Sequence, residues 1–367
     1  MPRKYTAAII GLGGFSRVHA RAYADVPNVR VVAACDVNPA KHAWWADCLR
    51  DELPVERIEF YDDAATLLAD ERPDLVSITT KHDQHAPLTL ACATAGVKGV
   101  LCEKPIAMDL GQADRMLAAC RKSGTKLAIG HQRRFDREWQ AGRRLVRGGR
   151  IGEVLLAVSR WPDNRPEKYR YDLFGGGPLM WLSVHSIDLL RYVLGEVDWV
   201  TGQVDMPLPD VDTETRACAL LHFRGGAQAV VECGTGIGPE ATLGHSIVFY
   251  GEKGAVHVCD GYGLRCRTRA RPRWREPHPE WRTTDWGGIA RRACALQTKD
   301  LIRCIETGRE PRCSGDEGRA DLEVVMAIYK SERTGGRVTL PLRDQRSPLL
   351  DMTRRGGFGQ VTWHPPP

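Results

Sequence analysis

The stretch Ala7-Ala8-Ile9-Ile10-Gly11-Leu12-Gly13-Gly14-Phe15-Ser16 decides how this chain is read. A short apolar run ends in a glycine turn, and the turn opens into residues 18–24, where apolar side chains recur at helical spacing. Strand, glycine turn and helix in G-x-G-x-x-G spacing form a cradle for a pyrophosphate. The first glycine allows the tight turn, the second lets backbone approach the anion, and the helix amino terminus offers N–H groups to it. The third glycine position holds Ser16, small enough to keep helix and strand close. A second apolar run, residues 29–35, ends at Asp36, 20 residues beyond Ser16. A carboxylate there hydrogen-bonds an adenosine ribose and repels a 2′-phosphate, so the pair favours NAD(H) over NADP(H). Val37 stands where an arginine would welcome that phosphate, and Arg17 and Lys41 are the cations that could compensate.

Outward from the turn, apolar runs at residues 75–79 and 99–102 alternate with helical patterns at 64–69, 87–95 and 110–122. That alternation is the signature of βαβ units around a parallel sheet. Beyond residue 150 the runs 155–158, 217–223, 228–232, 246–250 and 255–259 follow one another with little helix between them. The turns Gly225-Gly226 and Gly251-Glu252-Lys253-Gly254 read as hairpins. Two helices, 290–307 and 317–334, are stopped by Gly308 and by Gly335-Gly336. The expected fold is α/β plus α+β. A Rossmann dinucleotide-binding domain spans residues 1–128, and a mainly antiparallel open-sheet domain for substrate binding and oligomerisation spans residues 129–367.

A length of 367 residues suits two domains. Hydrophobic residues at 43% and charged residues at 27% exclude disordered and collagen-like chains. No run reaches the roughly 18 apolar residues that a membrane helix needs. The 12 cysteines are scattered without a CxxC pair, and no signal-peptide core precedes the first strand. Both features point to a reducing, cytoplasmic compartment, with neither a zinc knuckle nor a disulfide framework.

Glu103-Lys104-Pro105 closes the run 99–102, at the expected carboxyl edge of the parallel sheet, where ligands bind in open α/β folds. A lysine on that edge, with its pKa lowered by partial burial, exchanges a proton with a substrate hydroxyl. Three further segments stand in order along the chain: Thr79-Thr80-Lys81-His82 with His85, Gly130-His131-Gln132-Arg133-Arg134-Phe135, and Gly175-Gly176-Gly177 ahead of His185 and Asp188. With the glycine turn, they resemble the Gfo/Idh/MocA family, the glucose–fructose oxidoreductase and inositol dehydrogenase group, over essentially the whole chain.

The resemblance implies an NAD(H)-dependent oxidoreductase acting on a secondary alcohol or ketone of a sugar, cyclitol or related polyol. It implies cofactor contacts from Gly11, Gly13, Gly14, Phe15, Ser16, Asp36, Thr79, Thr80, His82, His85, Glu103 and Lys104, and it makes Lys104 and His185 catalytic. Substrate contacts are expected from Lys104, Arg133, Tyr169, Trp181 and His185, with Tyr171 beside Tyr169 as a further candidate. Asp188, one helical turn beyond His185, is placed to orient its imidazole. A homodimer or homotetramer assembled through the second sheet is also implied. Metal ligands and nucleic-acid motifs are not expected, since His82 and His85 have no further ligand residues clustered with them and no recognition motif is present.

One position departs from the family. Trp181 stands four residues before His185, where most of these dehydrogenases place an aspartate. Three readings accommodate it: substrate stacking on an aromatic face with Lys104 and His185 sufficient for chemistry, glycoside cleavage through a transient keto intermediate with NAD recycled, or a non-catalytic cofactor-binding relative. The net charge of +6 also has an address. Residues 265–292 hold nine arginines against Glu276, Glu280 and Asp285, so the remainder of the chain sums to zero. From Arg265 to Arg275 the arginines fall at every second position, which sets them on one face if the segment is extended. A solvated edge strand is the leading reading, ahead of a subunit or substrate contact.

Overall fold

In the computed structural model, which describes residues 3–163, 176–205, 213–236, 244–261, 263–283, 285–349 and Met352, the chain divides into two units. The first comprises Met1–Asp136 and Trp286–Arg319, and the second Arg137–Asp285 and Ala320–Pro367.

In the first unit, β1 (Tyr5–Ile10), α1 (Ser16–Ala24), β2 (Val29–Cys35), α2 (Ala40–Leu49), β3 (Glu59–Tyr61), α3 (Ala64–Glu71) and β4 (Leu75–Ile78) are followed by α4 (His85–Thr94), β5 (Gly99–Cys102), α5 (Leu110–Ser123) and β6 (Lys126–Ile129). The strands form one parallel sheet in the order β3-β2-β1-β4-β5-β6. β4 and β5 are buried at every position, as a parallel sheet covered by helices on both faces requires. Strand order reverses between β1 and β4, so their carboxyl ends splay apart into a ligand crevice. α3 is capped by Asp63, which accepts Thr66 N, and α5 by Asp109, which accepts Gln112 N. Each cap satisfies a helix-end donor and fixes the entry into its helix.

Three elements of this unit escape the periodicity argument. β3 is only three residues long, and β6 begins with a lysine. α2 buries only Trp45 and Leu49, so its apolar residues trace no continuous stripe. The expected domain boundary is corrected as well. It falls at Asp136 rather than residue 128, and the helix Trp286–Thr307 belongs to the first unit rather than to the second. Cys294, Ala295, Leu301 and Ile302 of that helix share a buried cluster with Tyr5, Ile9, Leu12 and Tyr23. Its spacing reveals that a face is buried but not which sheet receives it.

In the second unit, α6 (Arg137–Arg147), β7 (Val154–Pro162), α7 (Val184–Leu194), β8 (Val197–Asp205), β9 (Arg216–Phe223), β10 (Gln228–Gly234), β11 (Ser246–Gly251), β12 (Gly254–Cys259), β13 (Gly263–Thr268), β14 (Arg271–Arg275) and β15 (Val338–Thr339) are the principal elements. The strands make a nine-stranded sheet in the order β14-β13-β12-β11-β7-β10-β9-β8-β15. Every neighbouring pair is antiparallel except β10 with β7. Both expected hairpins are present. Ala217, Ala219, Leu221 and Phe223 alternate inward along β9, which leaves the other face of the strand open.

The arginine strip does lie at the edge of this sheet, and all five residues of β14 are exposed. The single-face expectation is corrected, because the segment folds back as a hairpin. Arg271 and Arg275 stand opposite Thr268 and Cys266, whereas Arg265 and Arg267 lie over the Trp274 ring. Among the described residues, no helix is long and apolar enough to cross a membrane.

Candidate functional site

The glycine turn leaves β1 at the reversal of strand order. Gly11 has φ +91°, and a Cβ there would lie 2.6 Å from Thr80 Cγ2 and 2.8 Å from Thr80 N. Only glycine lets the turn sit this close to the end of β4. Thr79 fastens the approach, its Oγ1 donating to Gly11 O at 2.6 Å and its N to Ile10 O at 2.8 Å. Outside the turn the situation is reversed, since a Cβ on Gly14 would meet nothing within 4 Å. α1 carries no acid in its first turn and no side-chain cap, so its positive end is left to an external anion. The residues present fit a dinucleotide.

Asp36 is buried at the end of β2. Its Oδ2 accepts Leu12 N at 2.8 Å, and its Oδ1 accepts Asn38 N at 3.0 Å. Lys41 Nζ stands 3.2 Å from Oδ2, which sets a cation beside this carboxylate. Arg17, the other candidate cation, instead lies over the Trp44 ring. Ser16 is wholly buried, with its Oγ donating to Gly13 O at 2.5 Å and accepting Trp45 Nε1 at 2.9 Å. Its role is therefore to pack α1 against α2. Phe15 turns its ring edge-on to His19 at 5.4 Å.

At the ends of β4 and β5, His82 and His85 are buried with ring centroids 5.5 Å apart. His85 Nδ1 donates to Pro105 O at 2.8 Å, and burial lowers its pKa. Lys104 is half-buried, and its pKa falls to about 8. Burial is the larger cause; the Arg133 charge adds to it and Glu103 opposes it. Arg133 is itself half-buried and is pushed down to about 10 by burial, against the pull of Asp136. Arg134 is structural, donating to Glu317 and to Arg312 O at 2.9 Å each.

Glu103 points inward. Its Oε1 accepts His19 Nε2 at 3.1 Å, and its carboxylate rests on Gly130, where a Cβ would come within 2.5 Å of Oε1. His19 on α1 and Ser77 on β4 thus belong to the site, and sequence reasoning missed both, because their link to Glu103 exists only once β5 lies beside β4.

In the second unit, Trp181 lies half-buried in a π-helical turn, Leu179–Ser183, that leads into α7. Such turns recur at functional sites. His185 and Asp188 follow, both buried on α7, and His185 stacks on Trp161 at 6.2 Å between centroids. A buried carboxylate unforeseen in the sequence, Glu214, holds the approach to this turn. It accepts Gly177 N at 2.9 Å, Leu179 N at 3.2 Å and Tyr329 OH at 2.7 Å. Gly175, Tyr169 and Tyr171 lie outside the described residues.

Residues 5–131 match the oxidoreductase family with an NAD-binding Rossmann fold, Gfo/Idh/MocA, and residues 139–257 match a Gfo/Idh/MocA C-terminal domain. The chain is 27% identical over 368 residues to D-apiose dehydrogenase of Paraburkholderia graminis, covering 96% of this chain and 94% of that protein. It is 27% identical over 352 residues to myo-inositol 2-dehydrogenase of Thermotoga maritima, covering 88% and 95%. Among solved structures, the WlbA dehydrogenase from Bordetella pertussis in complex with NADH and UDP-GlcNAcA superposes with a TM-score of 0.77 at 26% identity, covering 93% of this chain and 100% of that one.

Proposed function

From the premise that this chain belongs to the Gfo/Idh/MocA oxidoreductase family, we propose that it is an NAD(H)-dependent dehydrogenase or ketoreductase for a secondary hydroxyl of a sugar, cyclitol or related polyol. The observation that carries the proposal is Lys104, a half-buried lysine with a pKa near 8 at the carboxyl edge of β5, two strands from the glycine turn of β1. NAD(H), when bound, supplies the hydride acceptor or donor. The backbone of Gly13, Gly14 and Phe15 holds the pyrophosphate, and Asp36 the adenosine ribose. The Lys104 amine takes the hydroxyl proton during oxidation and its ammonium returns one during reduction. Trp181 offers the substrate an aromatic face in place of the usual carboxylate.

The related dehydrogenases support the substrate class, acting by name on D-apiose and on myo-inositol. The test is a panel of pentoses, hexoses and inositols followed at the nicotinamide absorbance. Stoichiometric NADH from one of them supports the proposal, and no turnover in either direction by cofactor-loaded protein overturns it. Product without NADH accumulation identifies the cleavage cycle instead.

We further propose a cytoplasmic homo-oligomer. None of the 12 cysteines is joined in a disulfide among the described residues, as a reducing compartment maintains. The open face of the second sheet carries Leu220, Val230, Val158 and Val248 in one cross-strand row, with Leu156 and Tyr250 beside it. An apolar row of this length calls for a cover, and light scattering at micromolar concentration reads the assembly directly.

A further inference from the structure

Four buried side chains from α1, β4 and the end of β5 form a single file. Glu103 ends it as an ionised carboxylate, which only accepts, so His19 Nε2 carries the hydrogen in their 3.1 Å contact. In a neutral imidazole Nδ1 is then the acceptor, and Ser77 Oγ donates to it at 2.9 Å. The hydroxyl of Tyr23 in turn donates to Ser77 Oγ at 2.7 Å. Burial pushes the Tyr23 phenol well up, which keeps it a donor. Every bond therefore points toward Glu103, and the far end is sealed, since Tyr23 is 1% exposed. A file closed to water carries no proton out. What it fixes is the place and charge of one carboxylate.

That carboxylate belongs to the residue before Lys104, and its Oε2 accepts Lys104 N at 3.3 Å. Gly130 holds it from the other side, because a Cβ there would lie within 2.5 Å of Oε1. The titratable neighbours are His19 from α1, His85 from α4, Cys102 from β5, Arg133 from the turn after β6 and Cys294 from the helix Trp286–Thr307. Burial alone would raise the Glu103 carboxyl. The hydrogen bond from His19, with the charge of Lys104 beside it, reverses the direction and lowers it.

We propose that His19 is a positioning residue for Lys104: by holding the Glu103 carboxylate ionised and in place, it supplies the negative charge that lets the lysine amine keep its proton near neutral pH. This rests on the reading of Lys104 as the acid–base group. Without the imidazole the buried carboxyl takes up a proton, its charge disappears, and burial and Arg133 act on Lys104 unopposed.

The experiment reads the lysine without turnover. In the full-length chain, the pH midpoint of ¹³C-dimethylated Lys104 is followed by its NMR shift, assigned by its loss in Lys104→Arg. Glu103→Gln and His19→Leu should each lower the midpoint by at least about 1 on the pH scale. The double variant should fall no further than either alone, and His19→Gln, which still offers an N–H to the carboxylate, should stay near the parent. If His19→Leu does not fold, Ser77→Ala takes its place and should shift the midpoint in the same direction. A midpoint that moves with Glu103→Gln but not with His19→Leu or Ser77→Ala overturns the proposal, as does one that moves with none of them. Failure of the functional reading looks different: Lys104→Met would then retain turnover, whatever the midpoints do.

Discussion

The carboxylate of Asp36 accepts the backbone N–H of Leu12 at 2.8 Å, a bond between the end of β2 and the glycine turn of β1. The side chain proposed to hold the cofactor ribose therefore also braces the turn proposed to take the pyrophosphate. Asp36→Ala should separate the two duties poorly. It leaves the buried Leu12 N–H without its acceptor, at a cost of about 1–3 kcal/mol in the cofactor-free protein, and it weakens NADH binding. Asp36→Asn keeps an acceptor for Leu12, so it should recover most of that stability while relaxing the preference for NAD(H) over NADP(H). Urea unfolding without cofactor and NADH and NADPH titrations by fluorescence check both halves.

The turn itself offers a contrast between two glycines. Gly11→Ala must force a side chain into φ +91° and into Thr80, only 2.6 Å away, so the apo protein should lose at least about 1 kcal/mol. Gly14→Ala meets nothing within 4 Å, so apo stability should barely change. An added methyl group on the turn proposed to take the pyrophosphate crowds that anion, so NADH affinity should fall instead. Equal destabilisation of both variants would contradict the arrangement.

The turn, Asp36 and Glu103-Lys104-Pro105 are legible in the sequence because each depends on spacing within a few residues or within one βαβ unit. What depends on strand order is not. His19 and Glu103 are 84 positions apart and meet because β4 and β5 lie side by side in the sheet. The helix Trp286–Thr307 shows a buried face in its spacing, yet nothing local says that the face belongs with Tyr5 and Ile9. The arginine repeat fails for a related reason: a period of two says "extended" but is silent about the reversal that divides Arg265 and Arg267 from Arg271 and Arg275. Glu214 looks like any surface glutamate until Gly177, Leu179 and Tyr329 converge on it.

Lys104 gives the pH dependence of the reaction a definite sign. With a folded pKa of about 8, the Lys104 amine, proposed as the acceptor of the hydroxyl proton, is the minor form at pH 7 and the major form at pH 9. Oxidation should accelerate through that range, and reduction, which needs the ammonium, should slow. Lys104→Met should abolish this limb and lower kcat at least about 10²-fold while leaving NADH affinity within a few-fold of the parent. Rates with saturating substrate in both directions, together with an NADH titration, check each part.

A second pH effect belongs to stability and arises in the arginine strip. His257 and Arg265 stand directly opposite on β12 and β13, with Arg265 Nη2 donating to His257 Nδ1 at 2.7 Å. Burial, and then the arginine charge, lower the His257 pKa to about 4. An unfolded histidine titrates near 6.5. Between these values the unfolded chain binds a proton that the folded chain refuses, so stability present at pH 7 should be lost progressively as pH falls from about 6.5 toward 4. His257→Gln removes the difference, and Arg265→Gln removes the contact that holds Nδ1 as an acceptor. Both variants should therefore lose less stability than the parent between pH 7 and pH 5 in urea unfolding. Parallel losses in all three proteins would show that the acid sensitivity of the fold lies elsewhere, in carboxylates such as Asp25, whose pKa the Arg291 bond holds below its ordinary value.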